Sequence, residues 1–218
     1  MRLAILGGTG KEGQGLAIRW ARVGHEVLLG SRETEKGERI AAELIERLGS
    51  DGEFGPVRGM TNRNAANEGE IIVSTLPHAG HVATLRDLKA ELAGKLVITA
   101  TIAWPPGSTE RPSAGEEVLK ALGADARVVA AFQTVSAGTL NDMPTGHTED
   151  VLICSDDVDA RETTRRLVEQ TGLRGVIAGP LERARIVEAI TGLLLKINRR
   201  YGVKSAGIRI TGIEEVRA

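Results

Sequence analysis

Gly7-Gly8-Thr9-Gly10-Lys11-Glu12-Gly13-Gln14-Gly15 lies between a strand-like apolar run, Arg2 to Leu6, and a stretch where Leu16, Ala17, Trp20 and Ala21 recur at helical spacing up to Val23. Its centre, Gly8-Thr9-Gly10-Lys11-Glu12-Gly13, has the G-x-G-x-x-G spacing of a dinucleotide-binding turn, in the strand, turn and helix context that the spacing requires. Glycines there let the backbone turn tightly and let a pyrophosphate come close, while the first turn of the helix offers unpaired N–H donors and a partial positive charge. A plain strand-to-helix turn does not need five glycines. Gly8, Thr9, Gly10, Lys11, Glu12 and Gly13 are therefore the expected phosphate cradle.

The next strand, Glu26 to Leu29, runs into Gly30-Ser31-Arg32. Sites for NAD usually place an Asp or Glu here, about 20 residues past the first glycines, to accept from the ribose 2′-hydroxyl. This chain has a hydroxyl and a guanidinium instead, with Lys36 four residues beyond Arg32 on the same helical face. That set suits a 2′-phosphate, so NADP(H) is the expected cofactor. Ser31 is also read as the opening residue and N-cap of a helix whose apolar face is Ile40, Leu44, Ile45 and Leu48.

Farther along, strands are expected at Val57 to Met60, Glu70 to Thr75, Leu96 to Thr99 and Arg127 to Ala131. Helical pieces fall near Asn62 to Asn67, His81 to Leu92 and Ala114 to Leu122. Six strands with helices between them predict an α/β fold, a Rossmann-type doubly wound parallel sheet. A polar loop, Ser136 to Asp150, then marks a candidate boundary between a dinucleotide-binding domain at 1–135 and a small C-terminal extension at 136–218 for substrate binding and packing. A strand at Val151 to Ser155, a helix at Val158 to Thr171 and a strand at Arg174 to Ala178 follow, and these can equally extend the first sheet. Ile186, Val187, Ile190, Leu193, Leu194 and Ile197 give the last helix, Leu181 to Arg200, a wide apolar face that can pack on the sheet or on a second subunit. A homodimer is the expected assembly.

Composition narrows the function classes. The 218 residues include 28 Lys and Arg against 29 Asp and Glu, so no net basic field draws nucleic acid, and two Phe, two Trp and one Tyr make a poor base-stacking platform. No apolar stretch reaches the length of a membrane span, and Met1 leads straight into strand-like sequence, so no signal peptide or membrane anchor is expected. The one cysteine, Cys154, sits among Val151, Leu152 and Ile153 and reads as a buried strand residue, which suits a reducing compartment such as the cytoplasm.

His78 and His81 follow Thr75-Leu76-Pro77, where a dinucleotide would pass, and read as cofactor contacts or helix-start packing. No Cys, His and carboxylate cluster supports a metal, and the nucleophile-elbow and triphosphatase motifs are absent. The late cations Lys196, Arg199, Arg200, Lys204 and Arg209 read chiefly as complements to a helix C-terminus, with an anionic substrate tail as the lesser alternative.

These residues together resemble the NADPH-dependent reductases of coenzyme F420, a deazaflavin hydride carrier. The resemblance is carried by Met1-Arg2-Leu3-Ala4-Ile5-Leu6-Gly7-Gly8-Thr9-Gly10, Gly24-His25-Glu26-Val27, Gly30-Ser31-Arg32 with Lys36, Thr75-Leu76-Pro77 with His81, Thr134-Val135-Ser136-Ala137 and Ala178-Gly179-Pro180-Leu181. It implies NADP held by Thr9, Ser31, Arg32 and Lys36, with Thr75, Leu76, Pro77, His81 and Ala137 as further cofactor contacts. It also implies F420 as a small-molecule substrate stacked on the nicotinamide; Trp104, Gln133 and Val135 are the residues expected on the substrate side. Hydride would pass between nicotinamide C4 and deazaflavin C5, a task of holding and orienting two rings that asks for no triad or metal. Gln133 stands where the family typically has His, and the loop Thr101-Ile102-Ala103-Trp104-Pro105-Pro106-Gly107 differs from the family's segment. A flavin, imine or carbonyl reductase is the alternative enzyme, and a non-catalytic NADP sensor the alternative of another class. Trp104 and Phe132 fall just past the ends of the fifth and sixth strands, where the ring chemistry would occur, and are the first candidates for an acceptor pocket.

Overall fold

The computed structural model describes residues 1–49, 52–142 and 149–213; Pro144, Gly146 and His147 of the polar loop lie outside them. The chain alternates strand and helix: β1 Arg2–Leu6, α1 Lys11–Arg22, β2 Glu26–Ser31, α2 Thr34–Leu48, β3 Val57–Thr61, α3 Asn62–Glu68, β4 Ile71–Ser74, α4 His78–Asp87, α5 Lys89–Leu92, β5 Leu96–Thr99, α6 Ala114–Leu122 and β6 Arg127–Ala130. A short α7, Ala137–Asn141, precedes β7 Asp150–Cys154, α8 Val158–Glu169, β8 Arg174–Gly179, a 3₁₀ turn at Leu181–Arg183 and α9 Ala184–Tyr201.

The eight strands among the described residues join one sheet in the order β3-β2-β1-β4-β5-β6-β7-β8. The first six are parallel in the 3-2-1-4-5-6 order of a dinucleotide-binding sheet, and the order reverses between β1 and β4. β7 pairs antiparallel with β6 and parallel with β8, so the strands after the polar loop extend the first sheet.

Alternation along β1 explains the aliphatic composition. Leu3 and Ile5 join Leu16, Trp20, Val27 and Leu29 on one face, while Ala4 and Leu6 join Leu28, Ile72, Leu85 and Val97 on the other. Strands covered on both faces need apolar side chains at every position, and branched aliphatics fill that space well. The one aromatic pair among the described residues is Trp20 edge-on to Phe132, with centroids 6.0 Å apart. Phe132 is therefore a core residue, wholly buried, rather than part of a pocket. Its φ of 75° is unusual for a bulky residue and costs about 1 to 2 kcal/mol; the kink turns the ring inward and presents Gln133 at the strand's end.

Three further expectations are corrected. Ser31 ends β2, pairing with Thr61 of β3, and its hydroxyl accepts from the Glu33 N–H at 3.4 Å, so the helix begins only at Thr34. The helix expected at His81 to Leu92 starts at His78, directly after Pro77 as its N-cap, and breaks at Leu88 into α4 and α5. Part of the polar loop is helical: Ser136 caps α7, accepting from the Thr139 N–H at 2.9 Å. The buried Arg19 of α1 ties α7 down by donating to the carbonyls of Leu140 at 2.8 Å, Thr139 at 2.6 Å, Asp142 at 2.9 Å and Thr171. Among the described residues no helix is long and apolar enough to cross a membrane.

Candidate functional site

A cleft of about 540 Å³ opens where β1, β2 and β4 end, at the point where the strand order reverses. Gly7, Thr9 and Gly10 form its floor. The glycines of this turn have separate physical causes. Gly7 has φ 73°. A Cβ on Gly8 would sit 2.8 Å from the Ile5 carbonyl oxygen, and one on Gly13 would sit 2.5 Å from the Gly8 Cα, so both positions are closed by the protein's own packing. Gly10 is different. Its φ of −75° suits any residue, and a Cβ there would approach only the Gly7 oxygen, at 3.4 Å. Nothing among the described residues demands glycine at 10; the space it leaves is on the cleft side, where the fingerprint's second glycine admits a pyrophosphate. The helix above it has no side-chain cap among the described residues, which leaves its first N–H groups for a ligand. These residues fit a dinucleotide.

Ser31, Arg32, Glu33 and Lys36 line one end of the cleft. Ser31 is buried, whereas Arg32 and Lys36 are exposed and form no ion pair among the described residues. Asn62, which the sequence reading missed, stands between this end and the floor, its Oδ1 accepting from the Gly7 N–H at 3.0 Å. It opens α3 straight after β3, and a polar residue at such a strand end was the available clue. Thr75, Leu76 and Pro77 form the opposite wall with Ala79, Gly80 and Thr84 of α4. The Thr75 hydroxyl donates to the Leu6 carbonyl at 3.1 Å, and Leu76 packs on Gly7.

The remaining expected residues lie around the cleft rather than along it. Lys11 is exposed, and its carbonyl accepts from the Asn141 side chain at 2.7 Å. Burial pushes the Glu12 carboxyl up to about 8 in the first turn of α1. Ala137 begins α7, and Val135 is buried just before it. His81 is wholly buried beneath the cleft wall, its Nε2 3.2 Å from the Thr99 hydroxyl, and its Nδ1 has no hydrogen-bond partner among the described residues.

That burial lowers the His81 pKa from 6.5 to about 4. The unfolded chain then binds more protons than the folded one between those values, so the His81 contribution to stability is full above about 6.5 and is lost as pH falls through 4. Comparing urea unfolding of the wild type with His81→Gln should show a stability difference that changes in the wild type's favour as pH rises from 4 to 6.5. A pH-independent difference would contradict this placement of the ring.

Past the ends of β5 and β6, a second set of groups converges. Gln133 is buried, donates from Nε2 to the Thr99 carbonyl at 3.1 Å, and finds no partner for Oε1 among the described residues. Trp104 is 64% exposed on the loop after β5, held by its backbone N–H, which donates to His78 Nδ1 at 3.2 Å. The opposite ring nitrogen of His78 lies 3.0 Å from the Glu117 carboxylate. An accepting Nδ1 leaves Nε2 as the protonated nitrogen, the donor to Glu117. The α9 helix closes this region: Thr191 donates its hydroxyl to the Gln133 carbonyl at 2.8 Å, and the buried Glu188 accepts from the N–H groups of Ala103 at 2.8 Å and Ala114 at 2.9 Å. Glu188 gave no sign in the sequence, because its partners lie 74 and more positions away.

Residues 2–102 match the family described as NADP oxidoreductase, coenzyme F420-dependent. The chain is 35% identical over 223 residues to the F420-dependent NADP reductase of Methanocaldococcus jannaschii, covering 98% of this chain and all of that one. It is 40% identical over 227 residues to the F420-dependent NADP reductase of Methanothermobacter marburgensis, covering 99% and 100%. A crystal structure from Arthrobacter sp. FB24, provisionally assigned as an F420-dependent NADP reductase, shares the fold with a TM-score of 0.81 at 21% identity, over 97% of this chain and 99% of that one. With relatives 35% and 40% identical over nearly their whole length, the chain belongs to the F420-dependent NADP reductase family.

Proposed function

We propose that the protein transfers hydride between NADP(H) and coenzyme F420. The observation that carries this is the cleft: a floor opened at Gly10, a ribose end furnished with Ser31, Arg32 and Lys36, and full-length relatives that bear this activity in their names. In this reading the α1 N-terminus and Thr9 hold the pyrophosphate, Arg32 and Lys36 neutralise the 2′-phosphate, and Thr75 to Pro77 guide the chain of the cofactor toward the ends of β5 and β6. The two carriers supply the redox chemistry, a hydride leaving nicotinamide C4 for deazaflavin C5 or the reverse. The protein's part is to hold their rings face to face and exclude water. Gln133 has one amide group committed to Thr99 and Oε1 left to accept from a ring N–H of the deazaflavin. A neutral His could accept there in the same way.

Residues 1–135 act in this account as the NADP-binding unit, and 136–218 supply the acceptor-side supports and packing. Exposed Ile177 on the edge strand β8, with Ile186 and Leu193 on α9, supports a homodimer. Cytoplasmic residence suits the single Cys154, buried as a free thiol that desolvation pushes up to about 11. Mixing purified protein with oxidised F420 and NADPH, then with NADH, tests the activity: NADPH should bleach the deazaflavin absorbance and NADH should do so far more slowly. NADPH binding without bleaching would overturn it.

A further inference from the structure

We propose that Glu188 is a positioning residue for the acceptor, its carboxylate on α9 fixing the Trp104 loop as one wall of the F420 site. The inference rests on F420 being the acceptor. Glu188 receives the Ala103 N–H on Oε2 and, on Oε1, the N–H of Ala114 at the first position of α6. One carboxylate thus bridges the loop's entry and the helix at its exit, and the intervening segment carries the exposed Trp104.

The same loop is pinned twice more. The next backbone N–H, that of Trp104, is taken by His78 of α4. One helical turn past Glu188, Gly192 lets α9 approach so closely that a Cβ there would lie 3.2 Å from the Pro106 carbonyl group. Successive N–H groups held from two different helices, with a third contact behind, fix the loop's backbone while leaving the indole in solvent. Such a loop has no need to be rigid for the fold, since Ser113 and Glu116 already cap α6 reciprocally. Burying a carboxylate with no ion-pair partner among the described residues merely to add a second α6 cap would be costly. Desolvation, with repulsion from Glu116 and Glu117, raises its pKa to about 7 against the pull of the two N–H donors.

The test uses the whole chain with Glu188→Gln, which keeps size and shape but has one oxygen for two donors. KM for F420 should rise about tenfold, and exchange of the Ala103 and Trp104 amides, measured without substrate, should quicken about tenfold. NADPH affinity and kcat should stay within about twofold. Ser113→Ala supplies the structural comparison: it removes the α6 cap and should lower the melting temperature while leaving KM for F420 unchanged. If Glu188→Gln fails to fold, Gly192→Ala, which presses a methyl group on Pro106, should raise KM for F420 in its place. Unchanged KM and unchanged exchange in the variant, or an equal KM rise in Ser113→Ala, would overturn the proposal. A wild type that turns over no F420 would instead overturn the activity, and the amide exchange would still report on the clamp.

Discussion

Arg32→Glu is expected to weaken NADPH binding by about 100-fold or more while leaving NADH binding nearly unchanged. The guanidinium is exposed at the Ser31 end of the cleft with no ion pair among the described residues, so its removal breaks no ion pair there that supports the fold. Its replacement puts a carboxylate next to Glu33 and where the 2′-phosphate would lie, exchanging attraction for repulsion. NADH has only a hydroxyl there, for which a carboxylate is a good partner. Calorimetric titration of both cofactors reads the difference directly, and the melting temperature should move little, as for other exposed substitutions. Equal losses for both cofactors would make Arg32 a structural residue.

The glycine turn yields the second large effect, as a contrast between two positions three residues apart. Gly10→Ala should fold normally, because the new Cβ meets nothing closer than the Gly7 oxygen at 3.4 Å. On the proposed reading its methyl group enters the space of the pyrophosphate, and displacing that group by about 1 Å should cost on the order of 100-fold in productive binding. Gly13→Ala should do the opposite. Its Cβ would lie 2.5 Å from the Gly8 Cα, backbone against backbone, and relieving that overlap costs about 1 to 3 kcal/mol of stability. Melting curves and NADPH titrations on both variants separate the two roles. A Gly10→Ala protein that binds NADPH like the wild type would mean that the ligand does not approach the turn there.

Local pattern made the parallel sheet and the dinucleotide turn legible, because both are written in consecutive residues: aliphatic runs such as Leu3 to Leu6, and glycines at fixed spacing beside them. Ser31 shows the limit of such reading. Its hydroxyl suits a helix cap and a strand-end turn alike, and the pairing of β2 with β3, a matter of tertiary contact, chose the strand. Phe132 was misplaced for a related reason, since proximity to a strand end says nothing of the inverted φ that sends its ring into the core against Trp20. Asn62 and Glu188 were not found because each acts on backbone N–H groups far away in sequence, 55 and at least 74 positions respectively, and no periodicity encodes such a contact.

Hydride transfer between two stacked carriers predicts a particular fate for the transferred hydrogen. NADPH bearing deuterium at nicotinamide C4, on the face used by the enzyme, should pass it to C5 of F420 without exchange with water, and mass spectrometry of the reduced deazaflavin reads this directly. Deuterium retained at C5, with preparations labelled on the other face giving none, is the predicted result. Reduced F420 carrying only solvent hydrogen with both labels, or no reduction at all, would contradict direct transfer across this cleft.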